Sequence, residues 1–334
     1  MNAGSRLCSC FALLAALAGA CTTEDAPPRS ADPPQPDPAV GADVAWRTGA
    51  EMPTHRTEVA VAGVGEFVVV AGGFTEDGAT SDAVEVYSVA ADAWDSLPPL
   101  PEPRHHAALV AVSDRFYLIG GYRPDGAPSG EVWLLAETRW EAGPSLPEAR
   151  GALAAALVGD EIHVVGGATG FGAGARLSDR HDIFDTTTGT WRQAPALPEA
   201  RDHLAAASIG PRLYVVGGRK LSLTTNSSRL DVFDTEAGTW VRGPDMPTAR
   251  GGLAAAQWRG RLVVAGGEEP RGTFPEVEFY DPREDGWNSG PPLPTPRHGL
   301  GAAGLRSEFL VVVGGGPSPG LAVSGATELL EVVD

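Results

Sequence analysis

Four of the seven histidines fall in the two positions after one of six regularly spaced arginines: His105 and His106 follow Arg104, His203 follows Arg201-Asp202, and His298 follows Arg297. Six arginines share this setting, and the pairs after them read Thr57-Glu58, His105-His106, Gly151-Ala152, Asp202-His203, Gly251-Gly252 and His298-Gly299. Imidazoles beside carboxylates exchange protons near neutral pH, act as general acid and base, or ligate a transition metal. A site usually breaks a repeat, so the polar residues Glu58, His105, His106, Asp202, His203 and His298 are the first binding candidates. The competing reading is that a histidine after arginine packs the repeat. Repeat position alone fixes no ligand geometry, so the sequence assigns no metal, no cofactor and no catalytic residue.

The elements that position these residues are written by the repeat itself. Trp46, Trp94, Trp140, Trp191, Trp240 and Trp287 are each followed ten residues later by Arg56, Arg104, Arg150, Arg201, Arg250 and Arg297. Sixteen residues after each of the first five arginines stands a Gly-Gly pair beginning at Gly72, Gly120, Gly166, Gly217 and Gly266; the sixth, at Gly314, is seventeen away. Gly-Gly to the next Trp varies between 20 and 25 residues, so the unit is close to 50. A period of this size marks a solenoid or a propeller. Four short strands fit each unit: a small apolar run such as Leu153-Ala154-Ala155-Ala156, a β-rich run ending at the glycines, an alternating strand such as Leu230-Asp231-Val232-Phe233-Asp234, and the Trp strand after a tight turn. Small residues fit strands crowded at an axis, and paired glycines allow close backbone approach. Trp supplies apolar surface between packed sheets. Proline in the exposed connections offers no donor for stray pairing.

Arg, Gly-Gly, the aromatic-Asp pairs Phe184-Asp185, Phe233-Asp234 and Tyr280-Asp281, and Trp at these spacings resemble the kelch repeat over residues 43–334. The resemblance implies an all-β fold, a β-propeller of four-stranded blades. It departs from the pattern at Leu135-Ala136 in blade two and at Val333-Asp334 in the last blade. Six blades are expected, with residues 44–48 supplying the fourth strand of the last one and closing the ring. The resemblance also implies that the pairs after each arginine face a central pocket. Glu58, His105, His106 and His298 are expected on one side, and Asp202 and His203 opposite.

Other candidates are weaker. His163 takes the slot of Tyr117 and Tyr214 and reads as a core substitution; His181 is expected in the long third-blade loop, and His55 on a turn. Loops 168–180 and 219–229 are the longest on the expected binding face. Phe171, Arg176, Arg180, Arg219 and Lys220 make them the cationic part of an acidic chain, and Phe171 and Arg219 join the binding candidates. Galactose oxidase-like copper chemistry needs a cysteine cross-linked to a tyrosine, and residues 43–334 contain no cysteine. The segments DTTTGTW and DTEAGTW resemble sialidase Asp-boxes, but their Asp stands two residues too far from Gly, so they read as hairpin turns.

The front of the chain reads as an address. One charge, Arg6, precedes an apolar run over residues 7–18, the length of a signal-peptide core rather than of a membrane span. Ala18-Gly19-Ala20-Cys21 suits ordinary signal peptidase and also resembles a lipobox, with Cys21 as the lipid-attachment residue. The reading is a signal over residues 1–20, a Pro- and acid-rich tether over 21–42 and a propeller over 43–334. Cys8 and Cys10 lie in the signal, leaving Cys21 without an intrachain partner. A net charge of -18 argues against nucleic acid and against electrostatic attachment to anionic lipid. The expected protein is a monomeric, exported lipoprotein of the bacterial cell envelope, binding a protein or carbohydrate ligand; its membrane contact is the lipid anchor alone. The alternative is a carbohydrate-processing enzyme, a sugar epimerase or mutarotase.

Overall fold

The computed structural model describes residues 44–136 and 138–333, which form six four-stranded antiparallel sheets arranged as a β-propeller. The proposed signal, Cys21 and the tether lie outside the described residues. In blade 1 the strands run outward from the axis as Ala60–Val64, Phe67–Ala71, Val84–Ser88 and Ala93–Ser96. The inner strands of blades 2 to 6 are Ala108–Val112, Ala154–Val158, Ala205–Ile209, Ala254–Trp258 and Gly301–Leu305. Each inner strand packs against those of both neighbouring blades, the sixth against the first. The only helical turn among the described residues is Gly172–Gly174.

Blade 6 joins two distant parts of the sequence. Val44–Thr48 runs antiparallel to Thr327–Val332, with Trp46 opposite Leu330, and completes the blade as its outermost strand. The same register places each of the other five repeat tryptophans beside Tyr87, Leu135, Phe184, Phe233 or Tyr280. The last-blade counterpart of the aromatic-Asp pair is therefore Leu330-Glu331. The sequence expectation of Val333-Asp334 was displaced by three residues: Val333 follows the strand, and Asp334 lies outside the described residues. Each indole N–H of the six repeat tryptophans donates to a carbonyl in the connection of the preceding blade, Trp94 to Ala50 at 2.8 Å and Trp46 to Pro291 at 2.9 Å. The tryptophans thus join blades as well as fill them.

The repeated arginines are buried without exception, and a desolvated guanidinium needs partners. In five blades the second residue of the third strand supplies a carboxylate. Arg56 meets Glu85 at 2.6 Å, Arg150 meets Asp182 at 2.9 Å, and Arg201 meets Asp231 at 3.0 Å. Arg250–Glu278 and Arg297–Glu328 complete the set at 2.5 and 2.6 Å. Blade 2 carries Trp133 at that position. Arg104 turns instead to Glu102 and Glu131, and its Nη1 has no hydrogen-bond partner in the protein.

The Gly-Gly pairs explain the fixed spacing. In every blade the second glycine donates its N–H to the carbonyl of the next arginine, from Gly73 to Arg104 at 2.8 Å round to Gly315 and Arg56 at 2.8 Å. A Cβ on Gly166 would stand 2.8 Å from the Arg201 carbonyl, too close for a real contact. Five of the arginine side chains also donate to the carbonyl of the first glycine in their own blade. Trp, Arg and Gly-Gly are one clamp between consecutive blades.

Candidate functional site

Immediately after each arginine the chain turns sharply. The second residue of every pair has a left-handed backbone: Glu58 at φ 53°, His106 at 53°, Ala152 at 50°, His203 at 51°, Gly252 at 67° and Gly299 at 59°. For a residue with a Cβ this costs about 1–2 kcal/mol. The conformation turns each N–H towards the preceding blade. His106 donates to Glu58, Ala152 to His106, His203 to Ala152, Gly252 to His203 and Gly299 to Gly252, at 2.9–3.2 Å, and Val59 closes the ring on the Gly299 carbonyl at 3.3 Å. The first residue of each pair bridges the residue after a Gly-Gly: Thr57 with Phe74, His105 with Tyr122, Gly151 with Ala168, Asp202 with Arg219, Gly251 with Glu268, and His298 with Gly316.

These residues surround a cavity of about 360 Å³ at one mouth of the channel. Phe74, Tyr122 and Phe171 line one part of it, and Glu58, Asp202, Arg219, Glu268 and His298 another. Beyond Glu58, His106 and His203, which border both spaces, lies a narrower cavity of about 90 Å³ walled by Val59, Leu153, Leu204, Leu253 and Leu300. Phe171, Leu221 and Leu321 rim the mouth at 51, 45 and 56 % exposure.

The imidazoles form a connected group. His106 Nδ1 lies 2.6 Å from His105 Nδ1, and His106 Nε2 lies 3.1 Å from His203 Nε2 and 3.2 Å from Glu58. His203 Nδ1 stands 2.9 Å from Asp202. Asp202 and His203 were expected apart from the other candidates. His203 instead meets His106, because Gly151-Ala152 in the intervening blade leaves the axis open between them. His105 is absent from the cavity wall; it stacks on Phe74 at 4.0 Å and supports His106 from behind. His298 lies 2.9 Å from the Gly320 carbonyl, and 3.6 and 3.8 Å from Glu268 and Glu58.

Burial pushes the His105 imidazole down to about 4. His106 is held well below its ordinary value by burial and then by the neighbouring imidazoles and Arg219. Burial favours neutral Asp202, but the His203 hydrogen bond, the Leu221 N–H and Arg219 outweigh it and keep the carboxyl below its ordinary range.

Three of the loop cations are paired with carboxylates: Arg219 with Glu268 at 2.7 Å, Arg180 with Asp182 at 2.5 Å, and Lys220 with Glu199 at 3.3 Å; Arg219 also lines the cavity. His181 is not in a loop. It opens the strand His181–Asp185, fully buried, with Nε2 2.8 Å from Nδ1 of His163. Phe74, Tyr122 and Glu268 were missed. The signal was present, since the residue after each Gly-Gly reads Phe, Tyr, Ala, Arg, Glu and Gly, another varied position inside a fixed one. Asp185 and Asp234 cap hairpin turns, accepting from the N–H groups two and three residues on.

The chain is similar to known proteins over parts of its length. Kelch-like protein terF of Aspergillus terreus is 31 % identical over 189 residues, 52 % of this chain and 40 % of that protein. Beta-scruin of Limulus polyphemus is 26 % identical over 177 residues, covering 53 % and 15 %. F-box/kelch-repeat protein SKIP11 of Arabidopsis thaliana is 33 % identical over 76 residues, covering 23 % and 16 %. The matched region thus spans less than half the length of each of these relatives. The KLHDC2/KLHL20/DRC7 Kelch-repeats domain matches residues 57–240, more than half of the sequence. With six clamped blades and their Arg, Gly-Gly and Trp ladder, the chain belongs to that kelch-repeat family.

Proposed function

We propose that this propeller is a binding module whose axial cavity receives an apolar anchor of a protein segment. The observation that carries the reading is the mouth: Phe171, Leu221 and Leu321, three exposed large apolar side chains, surround one cavity lined by both apolar and charged residues. Apolar surface gathered around a concave site marks interaction rather than chance exposure. Leucines suit a peptide side chain better than a sugar face, so a protein ligand is favoured over a glycan. Labelled protein probed against peptide and glycan arrays tests this directly. Peptides carrying a large apolar residue should bind, and Phe171→Ala with Leu321→Ala should weaken binding at least tenfold at unchanged melting temperature. Undiminished binding by that variant sinks the reading.

One observation favours a second reading. Glu58, His106 and His203 meet at the cavity wall within hydrogen-bond reach, as acid–base chemistry on a sugar requires. A glycan that binds and is also turned over would transfer the assignment to a sugar epimerase or mutarotase.

We further infer, from Ala18-Gly19-Ala20-Cys21 after an apolar run, that the propeller is exported and held at a bacterial membrane through lipid on Cys21. Fractionation of a Cys21→Ser variant reads out that anchor.

A further inference from the structure

We propose that Glu58, His106 and His203 form a binding site for one divalent first-row transition-metal ion at the neck between the two axial cavities. His106 Nε2, His203 Nε2 and a Glu58 carboxylate oxygen all lie within 4.8 Å of one another. Two edges of this triangle measure 3.1 and 3.2 Å. Donors about 2.0–2.1 Å from a tetrahedral ion stand about 3.3 Å apart, so these two edges already match such an ion, and the third, Glu58 to His203, lies within 4.8 Å.

The far side of each ring bears on which atoms carry lone pairs. His203 Nδ1 faces the Asp202 carboxylate, which only accepts, so Nδ1 bears the proton and Nε2 the lone pair. His105 and His106 meet Nδ1 to Nδ1 at 2.6 Å, so one of these two nitrogens carries the proton between them. With that proton on His106 Nδ1, His106 Nε2 is a bare lone pair as well. In that tautomer His106 Nε2, His203 Nε2 and the Glu58 carboxylate converge as three acceptors, an arrangement that suits a cation. Asp202 behind His203, and His105 behind His106, orient the rings as partners of metal-bound histidines do.

Two imidazoles and one carboxylate select zinc, iron, cobalt, nickel or copper over calcium and magnesium. All three residues also border the larger cavity, which leaves room for a further ligand. A second group, Glu58, Glu268 and His298, is the poorer site. Arg219 already holds Glu268 at 2.7 Å, and His298 Nε2 faces the Gly320 carbonyl at 2.9 Å.

The test is titration of zinc chloride alone into full-length protein freed of metal by a chelator, followed by calorimetry. Cobalt absorption gives an independent readout of the donor set. One equivalent should bind. His106→Ala and His203→Ala should each weaken binding at least 100-fold, and Asp202→Asn about 10–100-fold through its effect on His203. Glu58→Gln, nearly the same shape, should weaken binding even if the alanine variants fail to fold. Absence of saturable zinc uptake overturns the proposal, as does uptake that Glu58→Gln and Asp202→Asn leave unchanged. The peptide-binding reading has its own readout at Phe171 and Leu321 and stands or falls separately.

Discussion

His163 and His181 bury two imidazoles against each other inside blade 3, and neither His163 Nε2 nor His181 Nδ1 has a hydrogen-bond partner. Burial, then Arg192, pushes His163 down to about 4; burial, then His163, pushes His181 down to about 3. The unfolded chain takes up these protons near pH 6.5, whereas the folded chain resists until about pH 4 or below. Stability is therefore full above pH 6.5 and falls on acidification, by about 1.4 kcal/mol per pH unit for each such histidine. Urea unfolding at pH 7 and at pH 4.5 should show the loss. His163→Val, which places the residue of Val69, Val263 and Val311 in that slot, should reduce it; an unchanged difference between the two pH values would refute the assignment. At this scale the sequence is readable where a residue repeats and opaque where it does not. Trp, Arg and Gly-Gly announced themselves six times. Glu268 reaches the cavity from a short ribbon, Glu268–Glu269 against Gly272–Thr273, that no repeat predicts. The His106–His203 contact depends on the width of the axis, which no spacing records.

The closing strand lies at the opposite end of the sequence from the strand it pairs with. Val44–Thr48 pairs on one side only, yet it covers Thr327–Val332 and places Trp46 against the core shared by blades 5 and 6. A chain beginning at residue 49 should melt below one beginning at residue 43 and should aggregate, because the Thr327–Val332 edge is then unpaired. Trp46→Ala should cost about 3 kcal/mol, the low end for a tryptophan truncation, since the ring is half-buried. Equal melting temperatures for all three proteins would remove the strand from the ring. Strand order was legible from the Trp-to-Gly-Gly rhythm. The carboxylate that pairs each arginine was not recognised, although Glu85, Asp182, Asp231, Glu278 and Glu328 share one strand position. Its meaning appears only once the guanidinium is known to be buried.

For the whole molecule, the acidic balance and the proposed lipid on Cys21 belong together. A chain of net charge -18 is repelled by anionic headgroups, so the proposed membrane residence would rest on the proposed anchor. Cys21→Ser leaves Ala18 and Ala20 available to ordinary signal peptidase and should move the protein from the membrane to the soluble fraction. Retention in the membrane would rule the anchor out. The six-bladed architecture was legible because one unit is written six times, whereas the ligand is written once, in residues that differ from blade to blade.

The backbone bonds that circle the axis, donated by Val59, His106, Ala152, His203, Gly252 and Gly299, all run the same way, each amide giving to the blade before it. A helix arranges its peptides in line and so has a positive and a negative pole. Here the line is bent into a loop with no terminus, and its dipoles cancel around the circuit. The main chain at this ring presents no pole to a ligand. The charge sensed inside the cavity is set by side chains, three carboxylates at Glu58, Asp202 and Glu268 against one guanidinium at Arg219, together with the histidines. Specificity can therefore be rewritten one residue at a time without disturbing the loop that supports it.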